Sequence, residues 1–137
     1  MRYLGPKPWL MILSSLHIAP SGPKGRGVFT REPIEPGKLV EIAPVLVLDA
    51  KDRTLIDQTL LHDYIFEWGD VPGQCCMALG YLPLYNHSFQ SNCEYEMDYD
   101  QLLIRVRSVR FISRGEELSI NYNGDWNNIN PVWFETR

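Results

Sequence analysis

Cysteine, positive charge and long apolar runs are all scarce in this sequence, and each shortage excludes a class of protein. Three cysteines among 137 residues are an odd and sparse set, which excludes a disulfide-stabilised scaffold. The 13 basic residues are outnumbered by 17 acidic ones, so the net charge is −4 and a dedicated nucleic-acid-binding protein is disfavoured. No run approaches the roughly 20 apolar residues of a membrane helix. We therefore expect a soluble, intracellular domain that binds neither nucleic acid nor a membrane.

Hydrophobic residues make up 45% of the chain and charged residues 22%, which is the composition of one folded domain. At this length about two-thirds of the unfolded surface can be buried. Proline and glycine turns separate short strand-like runs: residues 9–13, 39–42, 45–48, 102–109 and 118–122. This spacing predicts a mostly β architecture.

One segment has helical periodicity instead. Apolar and aromatic side chains recur from residue 52 onward at a nearly helical spacing: Leu55, Ile56, Leu60 and Tyr64. Asp49 and Asp52 are both available to cap the first turn. We therefore predict a helix over this segment.

Residues 94–110 predict a hairpin. Aromatic residues and a methionine alternate with acidic residues in the first strand, and Asp100-Gln101 forms the turn. The acidic positions would then face Arg105 and Arg107 on the second strand, giving cross-strand pairs of opposite charge.

Charge is unevenly distributed along the chain. Residues 41–101 contain 11 acidic and two basic residues, whereas residues 1–40 contain six basic and two acidic ones. The acidic middle segment could attract a basic peptide, although charge alone is more typical of a solvated acidic surface.

Three short motifs carry groups suited to ligand binding. Residues 24–29 place two glycines after a turn, which permits close approach of a ligand to the backbone; Thr30 replaces the third glycine of a dinucleotide-binding motif. Residues 85–88 offer an amide and an imidazole, which could also simply stabilise a turn. In the alternating strand at residues 117–122, Tyr122 shares a face with Leu118 and Ile120 and could be a core residue.

Taken together and in this order, the motifs resemble those of the SET-domain family of protein-lysine methyltransferases. The matching segments are Gly25-Arg26-Gly27-Val28-Phe29, Tyr85-Asn86-His87-Ser88 with Asn92-Cys93 beyond it, and Glu117-Leu118-Ser119-Ile120-Asn121-Tyr122. The resemblance implies a SET-domain (β-clip-like) fold of short strands, with one or two short helices and a knot-like active site. It implies one catalytic domain over residues 1–137, with a core at about 10–123 and an aromatic tail at 124–137.

The resemblance also implies the ligands and their residues. S-adenosylmethionine would be the cofactor, with its methionyl part at Lys24, Gly25, Arg26 and Gly27 and its adenosyl part at Asn86 and His87. The substrate would be a lysine in a protein or peptide, expected to be basic, that enters a narrow channel from the other face. Tyr122 would be catalytic at the inner end of this channel, and Tyr64 and Phe66 are candidates for its walls.

The chain departs from the family pattern in three places. Phe89 and Ser91 replace the cysteine and the proline that commonly surround this Asn-His-Ser segment. No cysteine follows Cys93, so the zinc cluster of the cysteine-rich extension found in many members cannot form, and we predict no metal site. In place of that extension, Trp126 or Trp133 in the tail would stack on adenine, close the channel or cap the core.

The alternative to an enzyme is a catalytically silent SET-like module that binds a basic peptide or a partner protein. The combined presence of Gly25, Gly27, Asn86, His87 and Tyr122 favours the enzyme, because a silent module does not need them all.

Overall fold

A computed structural model describes residues 10–123, and ten short strands form most of their regular structure. The strands are β1 (Met11–Ile12), β2 (Leu16–Pro20), β3 (Arg26–Thr30), β4 (Leu39–Leu48), β5 (Phe66–Glu67), β6 (Cys75–Ala78), β7 (Asn86–His87), β8 (Cys93–Asp98), β9 (Leu103–Ser108) and β10 (Glu117–Ile120). The α-helix of this part of the chain is α1 (Ala50–Ile56), and 3-10 turns cover Gly22–Lys24, Leu60–Tyr64 and Leu82–Leu84. The prediction of a mostly β fold with few helices is confirmed.

Strand β4 is the centre of the first sheet and changes its partners along its length. Its first half pairs with β9 on one edge and with β1 on the other. Beyond Pro44 it pairs with β6, which in turn pairs with β5. The two runs predicted at residues 39–42 and 45–48 are therefore one strand. Because proline has no N–H to donate to a ladder, Pro44 is tolerated where β4 leaves one partner for the next.

The second sheet has the strand order β2-β3-β10-β7. Strands β3 and β10 are antiparallel, whereas β7 and β10 are parallel, with Asn86 opposite Ser119 and His87 opposite Ile120. Strand β10 thus lies between the glycine motif on one edge and the Asn-His pair on the other. This order brings together three motifs that are far apart in the sequence.

The predicted helix is only partly correct. Helix α1 begins where expected, because the Asp49 side chain accepts a hydrogen bond from Asp52 N at 2.8 Å and caps the first turn. It ends at Ile56, however, and Tyr64 lies in a separate 3-10 turn capped by Thr59. Leu60 is 73% exposed, so the apolar spacing beyond the helix does not mark a buried face.

The hairpin between β8 and β9 is confirmed with its predicted charge pairing. Glu94 lies opposite Arg107 and Glu96 opposite Arg105. Arg105 also reaches Asp98, with 2.9 Å between Nη2 and Oδ2. These pairs are structural, as the sequence indicates.

Aliphatic side chains from both sheets form one hydrophobic core. Fully buried members are Val28, Val40, Ile104, Val106, Leu118 and Ile120. Cys93 is a buried free thiol, and burial raises its pKa to about 12. No helix within residues 10–123 is long and apolar enough to cross a membrane.

Candidate active site

The glycine motif forms a tight turn that precedes β3. Gly25 has φ +83°, a conformation that favours glycine, and its N–H donates to Gly22 O at 3.2 Å. The Lys24 ammonium reaches β7, with 3.4 Å between Nζ and the His87 carbonyl oxygen. We call residues 22–27 the glycine turn.

Gly27 is required for packing and not for its backbone angles. A Cβ at this position would overlap the Glu117 carboxylate and come within 2.9 Å of Asn86 Nδ2. Side chains of β10 and β7 thus approach this glycine closely, and the approach of a ligand to its backbone stays a prediction. Any larger residue would push β3 away from both.

A polar network joins the glycine turn to the Asn-His pair. Asn86 Nδ2 donates to Arg26 O at 3.1 Å and to Glu117 Oε2 at 2.7 Å. The other carboxylate oxygen of Glu117 accepts from Ser21 Oγ at 2.6 Å. Since both amide hydrogens of Asn86 have acceptors, its Oδ1 is the part of the side chain suited to accept a ligand hydrogen.

His87 connects this network to Tyr122. Its Nδ1 accepts from Tyr122 N at 3.1 Å, so that nitrogen carries no proton in this arrangement. The His87 ring centroid lies 5.2 Å from that of Tyr122 and 4.5 Å from that of Phe89. Phe89, one of the departures from the family pattern, thus packs edge-on against this imidazole.

A cavity of about 500 Å³ lies on the other side of Tyr122. We call it the aromatic cavity, because Tyr64, Phe66, Tyr95 and Tyr122 all line it. Phe66 and Tyr95 contact edge to face, with ring centroids 5.6 Å apart. The remaining lining residues are Arg53, His62, Asp63, Ile65, Glu67, Pro83, Met97 and Asn123. The predicted wall residues are thus brought together with Tyr122.

The Tyr122 hydroxyl is fixed by the backbone. It donates to the carbonyl oxygen of Tyr85 at 2.6 Å. Burial, together with the nearby Tyr64, raises the pKa of Tyr122 to about 12, so the phenol stays protonated at neutral pH. A neutral hydroxyl with its proton committed to Tyr85 presents oxygen lone pairs to its other neighbours.

Sequence reasoning missed three contributors to this region. The sequence indicates Tyr95 and Met97 only as hairpin residues, but they line the aromatic cavity. The sequence motif that contains Glu117 indicates no role for it, yet its carboxylate links Ser21 to Asn86. The alternation of Tyr95 and Met97 with acidic residues was the available signal, since it predicts one shared face.

Two further predictions concern the aromatic tail and a metal site. Trp126 and the rest of the tail lie outside the described residues, so their role stays a prediction. Among residues 10–123, no group of three or more His, Cys, Asp or Glu side chains is arranged to hold a metal ion.

Comparison with known proteins addresses the family directly. The family model described as the SET domain matches residues 25–123, which include the glycine turn from Gly25 onward, the Asn-His pair and Tyr122. The chain belongs to the SET-domain family. This SET-domain protein is 35% identical over 126 residues to a histone-lysine N-methyltransferase of Schizosaccharomyces pombe that is specific for lysine 37 of histone H3. The match covers 91% of this chain and 80% of that protein.

Solved structures support the same assignment. A Plasmodium falciparum protein assigned to the histone methyltransferases is 26% identical and has a TM-score of 0.65, covering 85% of this chain and 100% of that chain. A humanized mutant of Polycomb Repressive Complex 2 from Chaetomium thermophilum has a TM-score of 0.69 over 85% of this chain. At 19% identity and 16% of that chain, the second likeness shows the fold alone.

Membership defines the activity of this SET-domain protein. It is a protein-lysine methyltransferase, and the methyl donor of its family is S-adenosylmethionine. Its substrate is a lysine side chain in a protein.

Proposed function

We propose that this enzyme methylates a lysine in a basic, histone-like segment, and that Tyr122 orients the reacting amine. The observation that carries the proposal is that Tyr122 lies between His87 and the aromatic cavity. Its backbone N–H and its ring contact His87, while its ring also lines the aromatic cavity. One side chain therefore touches both the proposed cofactor site and the proposed lysine site.

The residues on the His87 side fit S-adenosylmethionine. Lys24 supplies a cation suited to the methionyl carboxylate, and Asn86 Oδ1 is suited to accept from a ligand donor. Gly25 leaves open space, since within residues 10–123, apart from its two chain neighbours, no atom lies within 4 Å of where its Cβ would be. Arg26, Gly27 and His87 complete the proposed cofactor contacts. When bound, S-adenosylmethionine supplies an electrophilic methyl group for an in-line displacement.

The aromatic cavity suits the acceptor amine. A lysine amine attacks only when neutral, yet its ordinary pKa is about 10.4. Apolar walls at Tyr64, Phe66 and Tyr95 would remove water and lower that pKa. The same rings tolerate the cationic amine before it loses its proton, because their faces attract cations. Desolvation therefore lowers the pKa of the amine, its proton passes to solvent water as the side chain enters, and no dedicated base is needed among these residues.

Tyr122 would orient the amine for attack. Its hydroxyl proton is directed to Tyr85 O, which leaves oxygen lone pairs to accept an N–H of the neutral amine. That contact would aim the nitrogen lone pair toward the methyl group. Fixing two reactants in line supplies a large part of the rate acceleration in such a displacement.

Acidic residues around the aromatic cavity favour a basic substrate. Asp63 and Glu67 line it, and the exposed Glu67 carboxylate is partly balanced by Arg53 at 2.8 Å. Because the 35%-identical relative is specific for lysine 37 of histone H3, an H3 peptide spanning that lysine is the first substrate to test.

Titration calorimetry with S-adenosylmethionine, followed by labelled-methyl transfer to the H3 peptide, tests the proposal. Tyr122→Phe should keep cofactor binding and lower kcat about 100-fold, because it removes the positioning hydroxyl. Tyr99→Phe is the matched control: Tyr99 is 53% exposed and does not line the cavity, so it should react at the parental rate.

Each outcome has a distinct meaning. Absence of cofactor binding by folded protein would favour a silent peptide-binding module. Full activity in Tyr122→Phe would remove the proposed role of Tyr122. Equal methylation of the peptide with arginine in place of the target lysine would exclude that lysine as the acceptor.

A further inference from the structure

A buried carboxylate lies beneath the turn that precedes the Asn-His pair. Glu41, on the central strand β4, is fully buried. Its strand partners are Ile12 on β1 and Val106 on β9, neither of which titrates. A carboxylate in this position is costly unless specific donors hold it, so its contacts call for an explanation.

The donors come from the turn at residues 81–85. Glu41 Oε2 accepts from Tyr81 N at 2.8 Å and from Leu82 N at 3.1 Å. A Cβ on Gly80 would lie 2.6 Å from the same oxygen, so glycine at that position allows the carboxylate to reach the turn. Glu41 therefore clamps the beginning of this turn to the central strand.

The end of the turn contacts Tyr122. The carbonyl oxygen of Tyr85 accepts a hydrogen bond from the Tyr122 hydroxyl at 2.6 Å. The phenol of Tyr85 interacts with the Glu41 carboxylate. Among the described residues, neither Glu41 Oε1 nor the Tyr85 hydroxyl has a partner in hydrogen-bonding geometry. Tyr85 is thus contacted by Glu41 on one side and by Tyr122 on the other.

We propose that Glu41 is a positioning residue for methyl transfer: by clamping the turn at residues 81–85, it places the Tyr85 carbonyl that fixes the Tyr122 hydroxyl. This inference rests on the proposed function, because it assumes that the hydroxyl orients the amine. Glu41 itself does not line the aromatic cavity. Burial, opposed by the hydrogen bonds from the Tyr81 and Leu82 N–H groups and by the nearby Tyr85 phenol, raises the pKa of Glu41 to about 7. The group therefore changes charge near neutral pH.

A double-mutant cycle between Glu41 and Tyr122 tests the inference. Glu41→Met keeps the volume but removes both acceptors, and Glu41→Gln keeps an acceptor oxygen. We expect Glu41→Met to lower kcat at least tenfold, with the peptide KM and the cofactor Kd changed less than threefold. Glu41→Gln should stay within threefold of the parental kcat. Adding Glu41→Met to Tyr122→Phe should lower kcat less than twofold further, because both changes remove one effect.

Other results would overturn it. If Glu41→Met has the parental kcat, or if its effect multiplies with that of Tyr122→Phe, Glu41 does not act through Tyr122. If Tyr122→Phe alone is fully active, the proposed role of Tyr122 fails, and the inference about Glu41 fails with it. If Tyr122→Phe is impaired but Glu41→Met is not, only the inference about Glu41 fails. Should Glu41→Met not fold, Glu41→Asp withdraws the carboxylate by one methylene and is expected to give the same loss in the same cycle.

Discussion

The side of Tyr122 that faces His87 is held by short polar contacts, whereas the side that faces Phe66 is lined by aromatic rings. On the first side, Asn86, Glu117 and Ser21 form hydrogen bonds of 2.6–3.1 Å. On the second side the cavity walls contact through ring edges. The first arrangement defines positions of single atoms, while the second defines a shape and excludes water.

This difference matches the two ligands. A cofactor is identical in every turnover, so fixed donors and acceptors can be matched to it. A lysine side chain is flexible and must lose its water and its proton, which apolar walls promote. Substitutions on the polar side should therefore have larger and more specific effects than substitutions in the aromatic cavity.

The largest effect on stability is expected from Glu41, the buried acid beneath the turn at residues 81–85. Because folding raises the pKa of Glu41 from 4.5 to about 7, its contribution to stability is complete below pH 4.5 and is lost as the pH rises through 7. Relative to Glu41→Gln, the free energy of unfolding of the parent should fall by about 3 kcal/mol over this interval. Urea unfolding at several pH values measures it; a pH-independent difference would contradict the buried, ionisable state.

The next largest effect is expected at Gly27. Gly27→Ala would force a methyl group against Glu117 and Asn86, and such overpacking costs about 2 kcal/mol. Calorimetry should show cofactor binding weakened about 30-fold, while the unfolding midpoint shows whether the fold is retained. Unchanged cofactor affinity in a folded variant would mean that the polar side tolerates displacement. That result would contradict the expectation that the polar side is more sensitive to substitution than the aromatic cavity.

A smaller effect is expected in the aromatic cavity. Phe66→Ala removes an edge-to-face contact and one wall, worth about 1 kcal/mol, so the peptide KM should rise five- to tenfold with the cofactor Kd unchanged. Phe111→Ala is the matched control, since Phe111 is 47% exposed and lies outside the cavity lining. Equal effects of the two variants on KM would argue against lysine entry here.

The smallest effect is expected from salt. Raising the ionic strength from 50 to 300 mM should increase KM for a basic peptide about threefold, because the charges of Asp63 and Glu67 are screened. A peptide with neutral residues around its lysine serves as the control. If both peptides respond equally, acidic attraction does not contribute to substrate capture.

Local patterns predicted some elements well and others poorly. The cap at Asp49 and the charge pairing of Arg105 were predictable because both depend on neighbours a few residues or one strand away. The end of α1 was not, since the apolar spacing continues through Leu60 although no buried face receives it. The helix boundary is decided by what the chain packs against.

The site was predictable only in part for the same reason. The resemblance located Asn86, His87 and Tyr122 by their motifs. Glu41 stands within an apolar run, and nothing in that run indicates which distant N–H groups will meet its carboxylate. Tertiary contacts of this kind have no local sequence signal.

The hydrogen bond between Ser21 and Glu117 has a consequence for how the enzyme matures. These residues are 96 positions apart, and parallel strand β7 must also join β10 before the network closes. Closing such long loops is entropically costly and slow. During synthesis, a chain whose residue 122 has not yet left the ribosome lacks both a paired strand β10 and a Tyr122 in its final position. Activity should therefore appear late and all at once, with no partly active nascent form.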